Sequence, residues 1–176
     1  MDTEVENRAD APAETKFSRP SELENEVTRI FHAPPERVFR FFTDPATLPY
    51  AFGRDLSKVT VETMDIRPGG RYSVVVHFRD GPMRFSGEYR EIEPPRRIVN
   101  TFEVSRWSGV VAIETDTFEP VGEFTRVVVR YRFASREDRD RMQGSGGEGS
   151  TDEVWDNIDR MLREALERES EARNVA

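Results

Sequence analysis

Apolar and polar residues alternate at every second position through most of the chain between residues 57 and 133. The segment 71–78, RYSVVVHF, shows the pattern well, because Tyr72, Val74 and Val76 fall on one face of an extended chain. Glycine- and proline-containing turns such as RPGG and RDGP separate such segments. The pattern predicts an antiparallel sheet of hairpins with one buried face and one face in water.

Two other segments have helical periodicity. Residues 34–44, PPERVFRFFTD, follow a first predicted strand that ends at Ala33, and a second short helical turn ends at Gly53. Near the end of the chain, apolar residues recur at helical spacing from Val154 to Leu166. This order predicts an α+β domain in which the last helix lies across the sheet.

One glycine interrupts a predicted strand. Gly87 lies between Phe85 and Tyr89, where it costs stability unless the sheet bends or another group approaches closely. We favour a bend, because a curved sheet has a concave face.

Composition sets the domain organisation. The chain has 176 residues, of which 36 % are hydrophobic and 34 % charged, and this length suits one domain with unpacked ends. We predict a disordered acidic tail over residues 1–22, one domain over 23–169 and a disordered C-terminus over 170–176. The first residues lack the apolar region of a secretory signal, and no apolar run is long enough to span a bilayer. These features favour a cytoplasmic protein.

The charge balance narrows the classes of partner. The net charge is -8, which argues against nucleic acid or an anionic membrane surface as a partner, since binding to either needs a basic surface. We also expect no membrane insertion. The chain has no cysteine, so disulfides and thiolate chemistry are excluded.

Four motifs in order resemble one family: RIFHAPPERVFRFFTDPATLPYAFG, DIRPGGRY, GEYREIEPPRRIVNTF and a closing helix around VWDNIDRMLREAL. They are similar to the START-like (SRPBCC) superfamily, in particular the group related to the activator of the heat-shock-protein-90 ATPase. The resemblance covers roughly residues 25 to 168. It implies a helix-grip fold, in which a seven-stranded antiparallel sheet wraps around a long C-terminal helix. It also implies two short helices after the first strand and a cavity between sheet and helix.

The sequence departs from that group in two places. Tyr50 and Phe52 stand in PYAFG, where relatives often carry tryptophans. The eukaryotic activators also have a separate N-terminal domain that binds the chaperone, and here only a short acidic segment precedes the fold.

The sequence contains no catalytic constellation. His32 and His77 lack the spacing of a zinc site, and there is no GxSxG elbow and no phosphate-binding glycine motif. We therefore expect no metal and no cofactor, and interpret His77 as a surface residue. Carboxylates on the strands are interpreted as surface partners of neighbouring arginines. If any carboxylate is catalytic, we expect it to be Glu114 or Asp116.

The candidate binding residues are aromatic and aliphatic side chains that can approach the space between the sheet and the closing helix. An ordinary packed core is the alternative for each of them. The candidates are Phe42, Tyr50, Phe52, Tyr72, Val74, Val76, Phe85, Tyr89, Phe102, Trp107, Trp155, Ile158 and Leu162.

Three functions remain open from the sequence. The first is binding of a small hydrophobic or aromatic molecule in the cavity. The second is protein interaction, as in chaperone regulation, and the third is an enzyme of the polyketide cyclase or dehydratase kind, which the superfamily also contains. The sequence is compatible with a monomer or a homodimer.

Overall fold

A computed structural model describes residues 14–143 and 147–175 of the chain. Its central feature is one antiparallel sheet with the strand order β1-β2-β8-β7-β6-β5-β4-β3. The strands are β1 Lys16–Ser21, β2 Glu24–Phe31, β3 Val59–Met64, β4 Arg71–Phe78, β5 Gly81–Glu93, β6 Arg97–Val104, β7 Val111–Val121 and β8 Phe124–Arg132. The helices are α1 Pro35–Thr43, α2 Arg136–Gln143 and α3 Gly147–Val175, with short 3-10 turns at Leu48–Ala51, Leu56–Lys58 and Ser105–Trp107.

The sheet confirms the predicted α+β architecture, but it has eight strands where seven were predicted. The additional strand is β1, which lies inside the segment predicted to be disordered, so that prediction is wrong for Lys16–Ser21. Every residue of β1 is exposed, and the strand therefore carries no alternating signal. Pairing with β2 holds it in place. Residues 1–13, which belong to the same predicted tail, lie outside the described residues.

The closing helix is also longer than predicted. It continues to Val175, so the expectation of disorder over residues 170–176 is wrong for all but Ala176, which is not described. The last turns are rich in glutamate, alanine and arginine, which are good helix formers without an apolar stripe. No helix of the described ranges has a stretch long and apolar enough to cross a membrane.

The helices cover one half of the inner face of the sheet. There Phe31 of β2 packs against Trp155 of α3, with ring centroids 5.6 Å apart, and Phe39 of α1 packs against Phe118 of β7 at 5.2 Å. Ile158 of α3 is fully buried between these elements. The main core therefore lies between α1, α3 and strands β2, β7 and β8, and it extends to Tyr72, Tyr89 and Ile98 on β4, β5 and β6.

Two polar contacts fix α3 against β2. Arg29, which is buried on the inner face, pairs with Asp156 at 2.6 Å. One turn further on, Asp159 accepts the backbone N–H of His32 at 2.7 Å, and its other oxygen lies 2.8 Å from Nδ1 of the same histidine. These contacts set the position of the helix along the strand.

The other half of the inner face, on β4 and β5, is covered by the segment with the first two 3-10 turns. Phe52 from that segment contacts Tyr72 of β4 and Phe85 of β5, with ring centroids 6.1 and 5.7 Å apart. The first of these turns, Leu48–Ala51, lies in contact with α3.

Candidate functional site

Five polar side chains form a row across the inner face of the sheet. Asn25 pairs with Tyr131, Tyr131 with Glu114, Glu114 with Asn100, and Asn100 with Tyr89, on the adjacent strands β2, β8, β7, β6 and β5. Directly paired residues of antiparallel strands point to the same face. These five residues, called the polar row below, therefore lie side by side on the face that elsewhere forms the core.

Asp116 lies beside the polar row, two residues after Glu114 on β7. It is 7 % exposed, and its backbone pairs with Val129 and Ile98, two buried apolar residues. Its Oδ1 atom is buried and has no hydrogen-bond partner among the described residues, and the same holds for Oδ1 of Asn25. Two buried acceptors on one face are thus left without a donor.

Asn100 connects the polar row to β4. Its Nδ2 group donates to Oε1 of Glu114 at 3.4 Å, to the hydroxyl of Tyr72 at 3.3 Å and to the carbonyl of Thr101 at 3.1 Å. The Tyr72 hydroxyl donates to the same carbonyl at 3.0 Å, and the Tyr131 hydroxyl donates to Glu114. The site is therefore a connected network and not a set of separate polar residues.

Gly87 allows the Tyr72 ring to reach this network. A methyl group at Gly87 would lie 1.8 Å from the carbonyl oxygen of Thr101 and 2.7 Å from the Tyr72 ring. Such distances are far below van der Waals contact, so only glycine fits. Close approach of other groups, rather than the favoured bend, accounts for this glycine.

Burial perturbs the titration of both carboxyls. It raises the pKa of Glu114 from 4.5 to about 7, although the hydrogen bonds from Tyr131 and Asn100 act in the opposite direction. Burial and the neighbouring Glu114 charge raise the pKa of Asp116 well above its usual range. In the described ranges no arginine or lysine pairs with either carboxyl. The pair therefore holds at least one proton at neutral pH.

Aromatic rings border these polar groups. Burial and the nearby carboxyls raise the pKa values of the three tyrosines of the site, so their hydroxyls stay protonated. Successive ring centroids are 5.1 to 6.1 Å apart. This aromatic chain consists of Tyr131, Phe102, Phe85, Phe52, Tyr72 and Tyr89.

The predicted binding residues separate into groups. Five of them belong to the aromatic chain: Phe52, Tyr72, Phe85, Tyr89 and Phe102. Four lie in the helix-covered core: Phe42, Trp155, Ile158 and Leu162.

The remaining four predicted residues lie elsewhere. Val74 and Val76 are buried on β4 beyond Tyr72, and Tyr50 packs at the edge of the main core. Trp107 packs against a separate small cluster around Phe133. The structure thus brings together a part of the predicted set and adds polar residues to it.

Asn25, Asn100 and Tyr131 were not among the predicted site residues. The surface interpretation is wrong for Glu114 and Asp116, which point to the inner face, whereas Glu88 does lie 3.5 Å from Arg71 on the outer surface. The sequence signal that distinguishes these buried carboxyls from the surface ones is their position in the alternation of the strand. Both carboxyls are in step with Ala112 and Phe118 on β7, and those two residues are buried.

The two histidines lie away from the polar row. His77 is exposed on β4, as predicted, with its Nε2 3.0 Å from the Thr60 hydroxyl. His32 joins α3 through Asp159 and packs its ring against Phe124 at 4.8 Å. Neither histidine contributes to the network around Asn100.

A shallow groove lies between α1 and α3 on the outside of the core. Its volume is about 130 Å³, which is small beside the several hundred Å³ of a typical ligand pocket. It shares only Leu162 with the predicted binding residues. It is lined by Arg37, Arg40, Phe41, Asp44, Thr47, Leu162, Ala165 and Leu166.

The fold and sequence are similar to known proteins. A family model described as "Activator of Hsp90 ATPase homolog 1-like protein" matches residues 32–167. A crystal structure of a Rhodobacter sphaeroides protein is 22 % identical, with a TM-score of 0.75, over 86 % of this chain and 99 % of that one. Protein Ms6760 from Mycobacterium smegmatis is 23 % identical, with a TM-score of 0.74, over 86 % and 97 % of the two chains. No curated protein was found with significant similarity in sequence. The likeness to solved structures supports the helix-grip fold.

Proposed function

The chain belongs to the family of Activator of Hsp90 ATPase homolog 1-like proteins, whose model matches residues 32–167. From the inner face of its sheet, we propose that it is a ligand-binding protein. The protein binds a small, largely apolar molecule between the sheet and α3. The ligand lies against the aromatic chain, and its polar group meets the polar row.

The observation that carries this proposal is the unpartnered Oδ1 of Asp116 on a residue that is 7 % exposed. Burying a polar group without a hydrogen bond costs on the order of 1 to 3 kcal/mol, so a pure core position favours an apolar residue. A few convergent polar groups among aromatic rings are typical of a ligand site. The second unpartnered acceptor, Oδ1 of Asn25, lies on the same face and strengthens the argument.

Native mass spectrometry tests the proposal. We expect the purified protein to carry an extra mass that is lost on denaturation, or to gain one when apolar compounds are added. Asn100→Leu keeps a similar volume but removes the centre of the network, and it should lose that mass. Thr60→Val, on the exposed face beside His77, is the matched control and should retain it. A bare chain mass under all conditions would contradict binding and would favour the protein-interaction alternative.

One observation favours an enzyme as a second candidate. Glu114, with its pKa raised to about 7, adjoins Asp116, whose pKa is also raised well above its usual range, and such a pair can transfer protons near neutral pH. A cyclase or dehydratase would use the pair in this way. Incubation with the identified ligand distinguishes the two functions, because an enzyme changes the mass or structure of the ligand and a binding protein returns it unaltered.

A further inference from the structure

We propose that the ligand is an organic cation, with an amine or ammonium group placed against Glu114 and Asp116 and an apolar body placed against the aromatic chain. This inference rests on the proposed function, and it adds the chemical class of the ligand.

The first support is the set of unpartnered atoms. The orphaned atoms of the site are two oxygens: Oδ1 of Asn25 is an acceptor, and Oδ1 of Asp116 is one when its carboxyl is ionised. The third unpartnered atom among the described residues is Nε of Arg29, whose guanidinium lies 5.8 Å from the centre of the Phe31 ring, at the helix-covered end. When the carboxyls are ionised, these oxygens lack a donor, and a protonated amine supplies up to three donors.

The second support is the uncompensated acidity of the site. Glu114 and Asp116 occupy successive inward positions of β7, roughly 7 Å apart along the strand. An ammonium group between them can contact both. The basic residue on the same face is Arg29, and it pairs with Asp156 of α3 instead. Above about pH 7, where Glu114 is ionised, charge complementarity thus favours a cation and disfavours a carboxylate or phosphate.

The third support is the nature of the surrounding surface. The faces of tyrosine and phenylalanine rings attract cations, and the attraction is strongest in a site without water. The rings of Tyr72 and Tyr89 lie on one side of Asn100, tilted by 48° with centroids 5.5 Å apart, and Tyr131 lies on the other side of Glu114. Rings on both sides of an acidic pair provide both apolar area and favourable electrostatics for an amine.

Cation binding is linked to proton release. Burial keeps the carboxyl of Glu114 largely protonated up to about pH 7, and a bound cation lowers its pKa. The other titratable groups that face it are Asp116 on β7, Tyr72 on β4, Tyr89 on β5 and Tyr131 on β8. The tyrosines stay neutral in this range. The affinity for a cation should therefore fall as the pH falls below 7, and the affinity for a neutral ligand should not.

The experiment compares three probes of matched shape: phenylbutylamine, phenylbutanol and phenylbutyrate, each followed by calorimetric titration and by native mass spectrometry. At about pH 7.5 we expect the amine to bind at least about 10-fold more tightly than the alcohol, and the carboxylate to bind least. Lowering the pH to about 5.5 should weaken the amine by a further factor of about 10 and leave the alcohol unchanged. Titration in buffers of different ionisation enthalpy measures the protons released.

Variants locate the effect. Glu114→Gln keeps an acceptor for Tyr131, and it should remove both the preference for the amine over the alcohol and the pH dependence of that preference. Glu88→Gln, on the outer face beside Arg71, is the matched control and should behave as the parent protein.

The outcomes separate the two proposals. If the alcohol or the carboxylate binds as tightly as the amine, the proposal of a cationic ligand is wrong, and the proposal of ligand binding is retained. If longer and shorter homologues of all three probes fail to bind at millimolar concentration and no carried mass is found, both proposals fail.

Discussion

Two parts of the inner face of the sheet, the helix-covered half and the polar row with the adjacent Asp116, are built on opposite principles. Under α1 and α3, fully buried side chains such as Phe31, Val127 and Ile158 fill the space with apolar atoms. In the middle of the sheet, the same face buries two carboxyls, and Asp116 has an oxygen without a partner. The first part stabilises the fold, and the second part keeps groups that cost stability. This difference supports the proposal that the inner face binds a ligand in addition to forming the core.

The largest expected effect lies in the helix-covered half. Phe31→Ala should lower the free energy of unfolding by about 3 to 5 kcal/mol, because it removes a fully buried ring that contacts Phe42 and Trp155. Urea unfolding followed by circular dichroism measures this loss. If the variant does not fold, Ile158→Val should still cost about 1 kcal/mol. A change near zero in both would refute the assignment of this half as the core.

The next largest effect is expected at Gly87, which allows the Tyr72 ring to reach the network of the polar row. Gly87→Ala should destabilise the protein by about 2 to 3 kcal/mol, since the added methyl group meets the Thr101 carbonyl and the Tyr72 ring. Thermal and urea unfolding report the change. The neighbouring Ser86→Ala serves as the control, with an expected change within about 0.5 kcal/mol. Equal stabilities for the two variants would show that the close approach at Gly87 does not exist in solution.

The smallest expected effect is an increase in the free energy of unfolding, in contrast to the two decreases above, and it depends on pH. The pKa of Glu114 is raised from 4.5 to about 7 in the folded protein, so the stability linked to its protonation is present below pH 4.5 and is lost as the pH rises through 7. Glu114→Gln should therefore raise the free energy of unfolding by roughly 1 to 2 kcal/mol at pH 8, and by little at pH 4.

Chemical denaturation at several pH values checks this expectation. Glu88→Gln is the control, because the exposed Glu88 carboxyl lies on the outer face. The same difference between Glu114→Gln and the parent protein at both pH values would mean that the carboxyl is not desolvated.

Most of the fold could be predicted from the sequence because its strands are half-buried. The alternation in RYSVVVHF gave the bounds of β4 as the structure has them, Arg71–Phe78. The strand β1 could not be found in this way, since it is exposed on both faces and depends on pairing with β2. Periodicity detects burial, and a strand without burial leaves no trace in it.

The candidate site was predicted less completely, for a physical reason. The predicted residues include five of the six rings of the aromatic chain but not Tyr131, because tyrosine and phenylalanine at inward positions are ordinary core residues. Its polar part was assigned to the surface, because a charged residue on a strand usually lies in water. Glu114 and Asp116 alternate in step with Ala112 and Phe118, which indicates burial. This indication can be used only when the buried face of β7 is known.

The unforeseen strand β1 has a consequence for how molecules of this protein meet each other. An unpaired strand edge can join that of another copy and start aggregation. At this edge of the sheet β1 is short, carries Lys16, Arg19 and Pro20, and has an irregular register between Ser18 and Ser21, all of which hinder such joining. A chain that began at residue 23 would instead offer the edge of β2, which is longer and half-buried. By covering the edge of β2, β1 therefore hinders aggregation through that edge of the sheet.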